Sequence, residues 1–218
     1  MGANGAIHDH ASATRAGGKT MALMERAKNI LLQPKQEWPV IDTEQASVGS
    51  LYTGYIIPLA AIGPIASIIG WSVFGMRVPF AGSMRIPIGF GIRNAVIVYV
   101  LGLVGVFVLA LIIDALAPTF GGQKNQVQAL KVAAYSYTAA WVGGIFNLIP
   151  ALAILGLLAV IYSLYLLFLG LPVVMKAPQD KAVGYTVVVI LVAIVLYFVI
   201  GIIVAQFAWR PAMGMPGL

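Results

Sequence analysis

Residues 94–116 read NAVIVYVLGLVGVFVLALIIDAL, 23 residues with one charged side chain, Asp114, close to the end. A hydrocarbon layer about 30 Å thick is crossed by a helix of roughly 20 apolar residues. No water inside that layer can pair with a peptide group, so the segment must close its hydrogen bonds within itself, as a helix does. Residues 182–207, AVGYTVVVILVAIVLYFVIGIIVAQF, repeat the pattern without any charge. Outward from these two stretches, residues 51–74, 127–148 and 151–175 have the same oily character. Five transmembrane helices are predicted, forming an all-α polytopic membrane bundle over residues 50–208.

The whole composition agrees. Of 218 residues, 61% are hydrophobic and 9% charged, against roughly 45–50% and 25% in soluble domains. A soluble sphere of this size could not hide so much apolar surface. Cysteine is absent, which excludes disulfides, thiolate metal sites and cysteine nucleophiles. In the first predicted span, Pro58 and Pro64 remove backbone donors and bend the helix, while Gly63, Ala66 and Gly70 allow close helix contact. Residues 75–91 are too broken by Gly, Pro and Arg for a span and too apolar for a free loop. An interfacial or partly re-entrant connection is expected there.

The ends differ from the middle. Residues 1–19 are small and polar and predict a disordered tail; its His8 and His10 lack further metal ligands nearby. Residues 20–38 predict an amphipathic interfacial helix and its exit. Leu23, Met24, Ala27, Ile30 and Leu31 recur on one face, with Glu25, Arg26, Lys28 and Asn29 opposite. Such a helix lies along a membrane surface or packs on the ends of the spans. Leu23, Ile30, Leu31, Trp38 and, at the other terminus, Trp209 are the expected interfacial anchors, with 209–218 a short tail. Nine Lys and Arg fall on the side of the N-terminus and four on the other. Basic flanks favour the cytoplasm, so the N-terminus is expected inside and the C-terminus outside. The formal net charge of +6 is thereby read as topology and attraction to anionic lipid, not as nucleic-acid binding.

A family resemblance rests on an ordered set of motifs. Leu31-Leu32-Gln33-Pro34-Lys35-Gln36-Glu37-Trp38 comes first, then Lys131-Val-Ala-Ala-Tyr135-Ser136, Trp141 and Asn147-Leu-Ile-Pro150. Tyr162-Ser-Leu-Tyr165, Gly170-Leu-Pro172 and Lys181-Ala-Val-Gly184-Tyr185 follow. In this order they resemble the Yip family, the Ypt/Rab-interacting membrane proteins, in its bacterial form, over about residues 30–205. The resemblance implies five spans, a cytoplasmic N-terminus, and residence in a bacterial inner membrane. In eukaryotic members it implies partnership with Rab-type GTPases. The Asp-Leu-x-Gly-Pro pattern of those members is missing before the first span, where Gly63-Pro64 lies inside the span instead, which argues against a Rab-type partner here.

Few residues can carry chemistry. Charge within a span is costly and points to function; Asp114 qualifies, and Lys131 on the same side could pair with it. An ion or proton site and a structural salt bridge both fit. The third and fourth predicted spans concentrate the aromatics Tyr135, Tyr137, Trp141, Tyr162 and Tyr165. Tyr135 and Thr138 share a helical face, as do Tyr162 and Tyr165; with Ser136, Ser163 and Asn147 the cluster could line a polar cavity or bond neighbouring helices. No phosphate loop, zinc-binding His-Glu-x-x-His or Gly-x-Ser-x-Gly elbow occurs. No catalysis, cofactor or metal is expected. The leading expectation is a membrane scaffold or adaptor that binds protein partners, shapes lipid or self-associates; the alternative is a small transporter, channel or lipid-moving protein.

Overall fold

The computed structural model describes residues 22–78, 82–84 and 88–209. The predicted tail 1–19, both histidines, Thr20 and residues 210–218 lie outside these, as does the side chain of Trp209. Helix α1 covers 22–32 and α2 covers Pro34–Thr43, with Pro34 opening the second helix where its missing donor costs nothing. Glu44 to Ser47 then lead into a long rod. Ser47 and Ser50 form a reciprocal cap at its start.

That rod runs from Val48 to Val73 as α3 (Val48–Leu51), a π turn (Tyr52–Ile56), α4 (Ile57–Ala60) and α5 (Ile62–Val73). The prolines set its breaks. Pro58 has no N–H for the carbonyl four residues back, so the preceding turn widens, and the Ile57 amide donates to the Tyr52 carbonyl. Near Pro64 the chain turns at Ala61, and the Tyr99 hydroxyl donates to the carbonyl of Ile57 at 3.0 Å. Beyond the rod, the described part of the 75–91 connection is an antiparallel ribbon of β1 (Met76–Val78) and β2 (Gly82–Met84), with Arg77 opposite Ser83.

The remaining helices are α6 (Ile88–Leu116), α7 (Gln126–Ser136), α8 (Thr138–Gly143), α9 (Ala153–Val174) and α10 (Gln179–Trp209), with single 3-10 turns at Ala117–Phe120, Gly144–Leu148 and Pro150–Leu152. Among the described residues, four helices are long and apolar enough to cross a membrane: Val48–Val73, Ile88–Phe120, Ile154–Val174 and Gln179–Gln206. The expected fifth, 127–148, is corrected. Its continuous α-helical stretch is the 11 residues of α7, about 16 Å at 1.5 Å per residue. The chain then turns at Tyr137, resumes as α8, and tightens to 3-10 geometry at Gly144.

Close packing explains why this segment is broken. A Cβ on Gly144 would stand 2.7 Å from the Gly63 Cα, and one on Gly143 would stand 2.3 Å from the Ala159 Cβ. Gly70 meets the Asn147 carbonyl oxygen so closely that a Cβ there would lie 2.2 Å away. These approaches wedge the segment between α5 and α9 at the expense of helix propensity, which is lowest at glycine among residues with a free amide. From Ala129 to Ser136 every residue is buried, so α7 is the axis of the bundle. The other helices surround it and face outward with Val96, Val104, Leu157, Ile161, Leu191 and Ile194, all exposed.

Candidate functional site

Two features stand at opposite ends of the α7–α8 segment. At its start, α1 and α2 form a platform clamped onto the bundle. The Lys131 ammonium is buried and donates to the carbonyls of Ile41, at 2.9 Å, and Glu44. The α2 C-terminus thus offers its orphan carbonyls to a cation, as helix ends favour. Gln128 donates to the Asp42 carbonyl at 3.0 Å, Lys176 pairs with the Asp42 carboxylate, and the Tyr162 hydroxyl donates to the Leu31 carbonyl at 2.7 Å. Arg26 bridges Glu37 and Glu44 and lies 6.0 Å from the Tyr135 ring centroid. Burial works against the Arg26 charge, but Glu44 and Glu37 hold its pKa above the ordinary guanidinium value.

The apolar side of the platform meets protein. Ile30 is 0% and Trp38 1% exposed, with Leu23 and Leu31 partly buried against the same core. Trp38 packs edge-on to Tyr135 and sits where a Cβ on Gly170 would be, 2.6 Å from the indole. Of the expected anchors, Ile30 and Trp38 therefore fasten the platform to the spans. Met24, Leu32 and Val40 stand exposed on its outer side.

The expected Asp114–Lys131 pair is not made. Lys131 is taken up by α2 and the turn after it, while Asp114 is buried in α6 with its Oδ1 lacking a hydrogen-bond partner among the described residues. Beside it, the Tyr185 hydroxyl donates to the Ile113 carbonyl, and the Tyr185 ring stacks on Phe120 at 5.0 Å. The expected tyrosine cavity also divides. Tyr135 and Thr138 lie in the core: the Tyr55 and Thr138 hydroxyls are 2.7 Å apart, and the Thr138 hydroxyl donates to the Tyr135 carbonyl at 2.7 Å. Tyr162 and Tyr165 neighbour each other at 5.6 Å on α9, with Tyr165 exposed. Ser163 accepts from the Ala140 amide at 2.9 Å. Of the expected cavity residues, Tyr137, Trp141 and Asn147 line one cleft, and Ser136 and Ser163 border a smaller space beside it.

That cavity is a cleft of about 470 Å³ at the far end of the bundle from the platform, between α5, α6, α8 and α10. Its mouth carries Ser67, Trp71, Asn94 and Asn147, and its inner wall Tyr99, Tyr137, Trp141 and Tyr197. Tyr137 and Trp141 stack at 5.7 Å, and Tyr137 meets Tyr197 at 6.1 Å. Below this wall the core closes. Tyr55 packs against Trp141 at 6.5 Å and Tyr135 at 4.6 Å, and Ile56, Ile113 and Leu130 are fully buried in the same core. The sequence signal for the missed residues was an amide or aromatic within an apolar run: Asn94 opens one predicted span and Tyr197 interrupts another.

A bundle of long lipid-facing helices around a buried broken segment, capped at one end by a two-helix platform, defines a polytopic α-helical membrane protein. The Yip1 domain model matches residues 28–202, and the chain belongs to that family. It is similar to the inner membrane protein YohC of Escherichia coli strain K12, 25% identical over 166 residues that cover 75% of this chain and 85% of the relative. The same figures hold for YohC of Escherichia coli O6:H1 strain CFT073. No solved structure matches the chain.

Proposed function

We propose that the protein is a non-enzymatic scaffold of the bacterial inner membrane, holding its platform at the cytoplasmic face as a docking surface for protein partners. One observation carries this reading. The cleft ends on the packed layer of Tyr55, Tyr135, Trp141 and Ile56, so among the described residues no polar path joins it to the platform. Asp114, the one charge expected to serve a conduit, lies outside the cleft lining.

The basic residues support the orientation. Arg26, Lys28, Lys35, Lys124, Lys131, Lys176 and Lys181 all belong to the platform or to the helix ends beside it, the arrangement that cytoplasmic flanks favour. Helix α10 leaves that end, which supports a C-terminal side outside. On the platform's outer side, exposed Met24, Leu32 and Val40 lie among Glu25, Lys28 and Lys35. Such mixed apolar and charged surface suits a protein partner, including a second copy of this chain, and no Rab-type GTPase is invoked.

Reconstitution into liposomes tests the reading. Protein of correct helicity should move neither small solutes nor fluorescent lipid above the protein-free background, and Asp114→Asn should leave that background unchanged. Flux in the parent protein that Asp114→Asn abolishes would replace the scaffold with a transporter.

A further inference from the structure

The cleft does not end at its aromatic wall in every direction. Tyr137, Ala140 and Tyr197 also border a second space of about 120 Å³ between α9 and α10. Apart from Ser136 and Ser163 its other walls are apolar, among them Leu109, Val160, Leu164, Leu167, Ile190 and Ile194. Ser136 borders it too, 4% exposed, with its hydroxyl lacking a partner among the described residues.

Both spaces exist because α10 is held by only part of its length. Its buried residues are Ala182, Tyr185, Thr186, Val189 and Ala193; between Ala193 and Gln206 none is buried. The side of the cleft at Tyr197, which is 54% exposed, therefore faces the membrane. Hydrocarbon is a poor occupant of its mouth, because the Asn94 and Asn147 amides would lose their hydrogen bonds there.

Polarity changes along the combined space in one direction. Ser67, Trp71, Asn94 and Asn147 lie towards the end of the bundle, and Leu109, Leu167 and Ile190 lie back towards its middle. A phospholipid has the same sequence of groups from headgroup to tail. The cleft volume falls within the about 300–1,000 Å³ of small-ligand sites. Among the described residues no charged side chain lines either space, which favours an occupant without uncompensated charge. Five aromatic rings, Trp71, Tyr99, Tyr137, Trp141 and Tyr197, suit a cation, which aromatic faces attract.

We infer that the two spaces hold the headgroup end of one zwitterionic phospholipid of the leaflet away from the platform, its ammonium and phosphate at the mouth and the first few methylenes of one acyl chain passing Tyr137 and Tyr197 into the slot, with the rest of the lipid in the bilayer. The Asn94 and Asn147 amides donate to the phosphate oxygens, and the rings receive the ammonium. This assignment is independent of the scaffold reading, since a bound lipid requires no path across the membrane.

Native mass spectrometry of the full chain, released from nanodiscs of equimolar phosphatidylethanolamine and phosphatidylglycerol, tests it. One retained phosphatidylethanolamine per chain is expected, at roughly tenfold preference over phosphatidylglycerol. Ala140→Trp, which fills the junction of cleft and slot, should abolish retention, whereas Val187→Trp on the exposed side of α10 should not. Asn94→Leu with Asn147→Leu, which removes donors to the phosphate that both lipids carry, should weaken retention of both, whereas Trp71→Leu with Tyr99→Leu should keep a lipid but lose the preference. Circular dichroism and thermal unfolding identify any variant that has merely lost its fold; should Ala140→Trp do so, Ala140→Leu replaces it with the same expectation. Preferential retention of phosphatidylglycerol, equal retention in the folded Ala140 variant, or no retained lipid would overturn the assignment.

Discussion

Helices α7 and α10 invert the relation between hydropathy and burial familiar from soluble proteins. α7 contains Gln126, Gln128, Lys131 and Ser136, yet it is buried without interruption from Ala129 onward. α10 has no charge from Ala182 to Phe207, yet only 11% of its most apolar stretch is buried within the protein. Lipid tails are as apolar as leucine, so an apolar side chain gains little by exchanging lipid for protein. Polar groups and close backbone contacts gain much more. Accordingly the axis of this bundle joins alanines, a lysine and hydroxyl groups to Leu130 and Val132, while valine and isoleucine form much of the outer surface.

The strongest way to break this comparison is at the clamp between α7 and the platform. Trp38→Ala removes a fully buried indole packed on Tyr135 and Gly170. A loss of about 3–5 kcal/mol is expected, visible as lowered thermal stability in detergent. Lys131→Met should cost less, about 1–3 kcal/mol, because the Ile41 and Glu44 carbonyls lose their donor. Its separate signature is local: trypsin should cut after Lys28 or Lys35 in folded variant protein while the parent resists. An uncut platform would mean that Lys131 is not its anchor.

A matched pair of valines sharpens the contrast further. Val132→Ala in α7 empties a fully buried site and should cost about 1–2 kcal/mol. Val195→Ala in α10, 62% exposed, should stay within about 0.5 kcal/mol. Equal losses at the two sites in detergent-solubilised protein would show that another protein surface covers α10, and the contrast would fail.

Much of this arrangement was legible in the chain itself. Residues 94–116 and 182–207 lie within α6 and α10, and the helix breaks fall beside Pro58 and Pro64. Gly63 and Gly70 mark a true close crossing. The segment 127–148 misled because its apolar length is compatible with a span, whereas its glycines answer to contacts with α5 and α9 that lie far away in sequence. The tyrosines misled for a geometric reason. Tyr135 and Tyr137 are two residues apart, so a helix points them in widely different directions; one fills the core and the other walls the cleft. Spacing groups residues by face but does not say what each face meets. Asp114 and Lys131 illustrate the same limit: both belong to the platform end, yet α2 and the turn after it supply nearer partners for the lysine.

The amino-acid order alone determined that this chain lives in lipid as helices, because unpaired peptide groups are too costly in hydrocarbon for another solution. It also determined where those helices bend, through prolines that lack a donor. Only the tertiary structure decided which segment became the axis, which tyrosines border a cavity, and that the N-terminal helices close one end. Those outcomes depend on contacts between distant residues, and within a membrane hydrophobicity cannot select them, since lipid and protein interior offer an apolar side chain nearly the same environment.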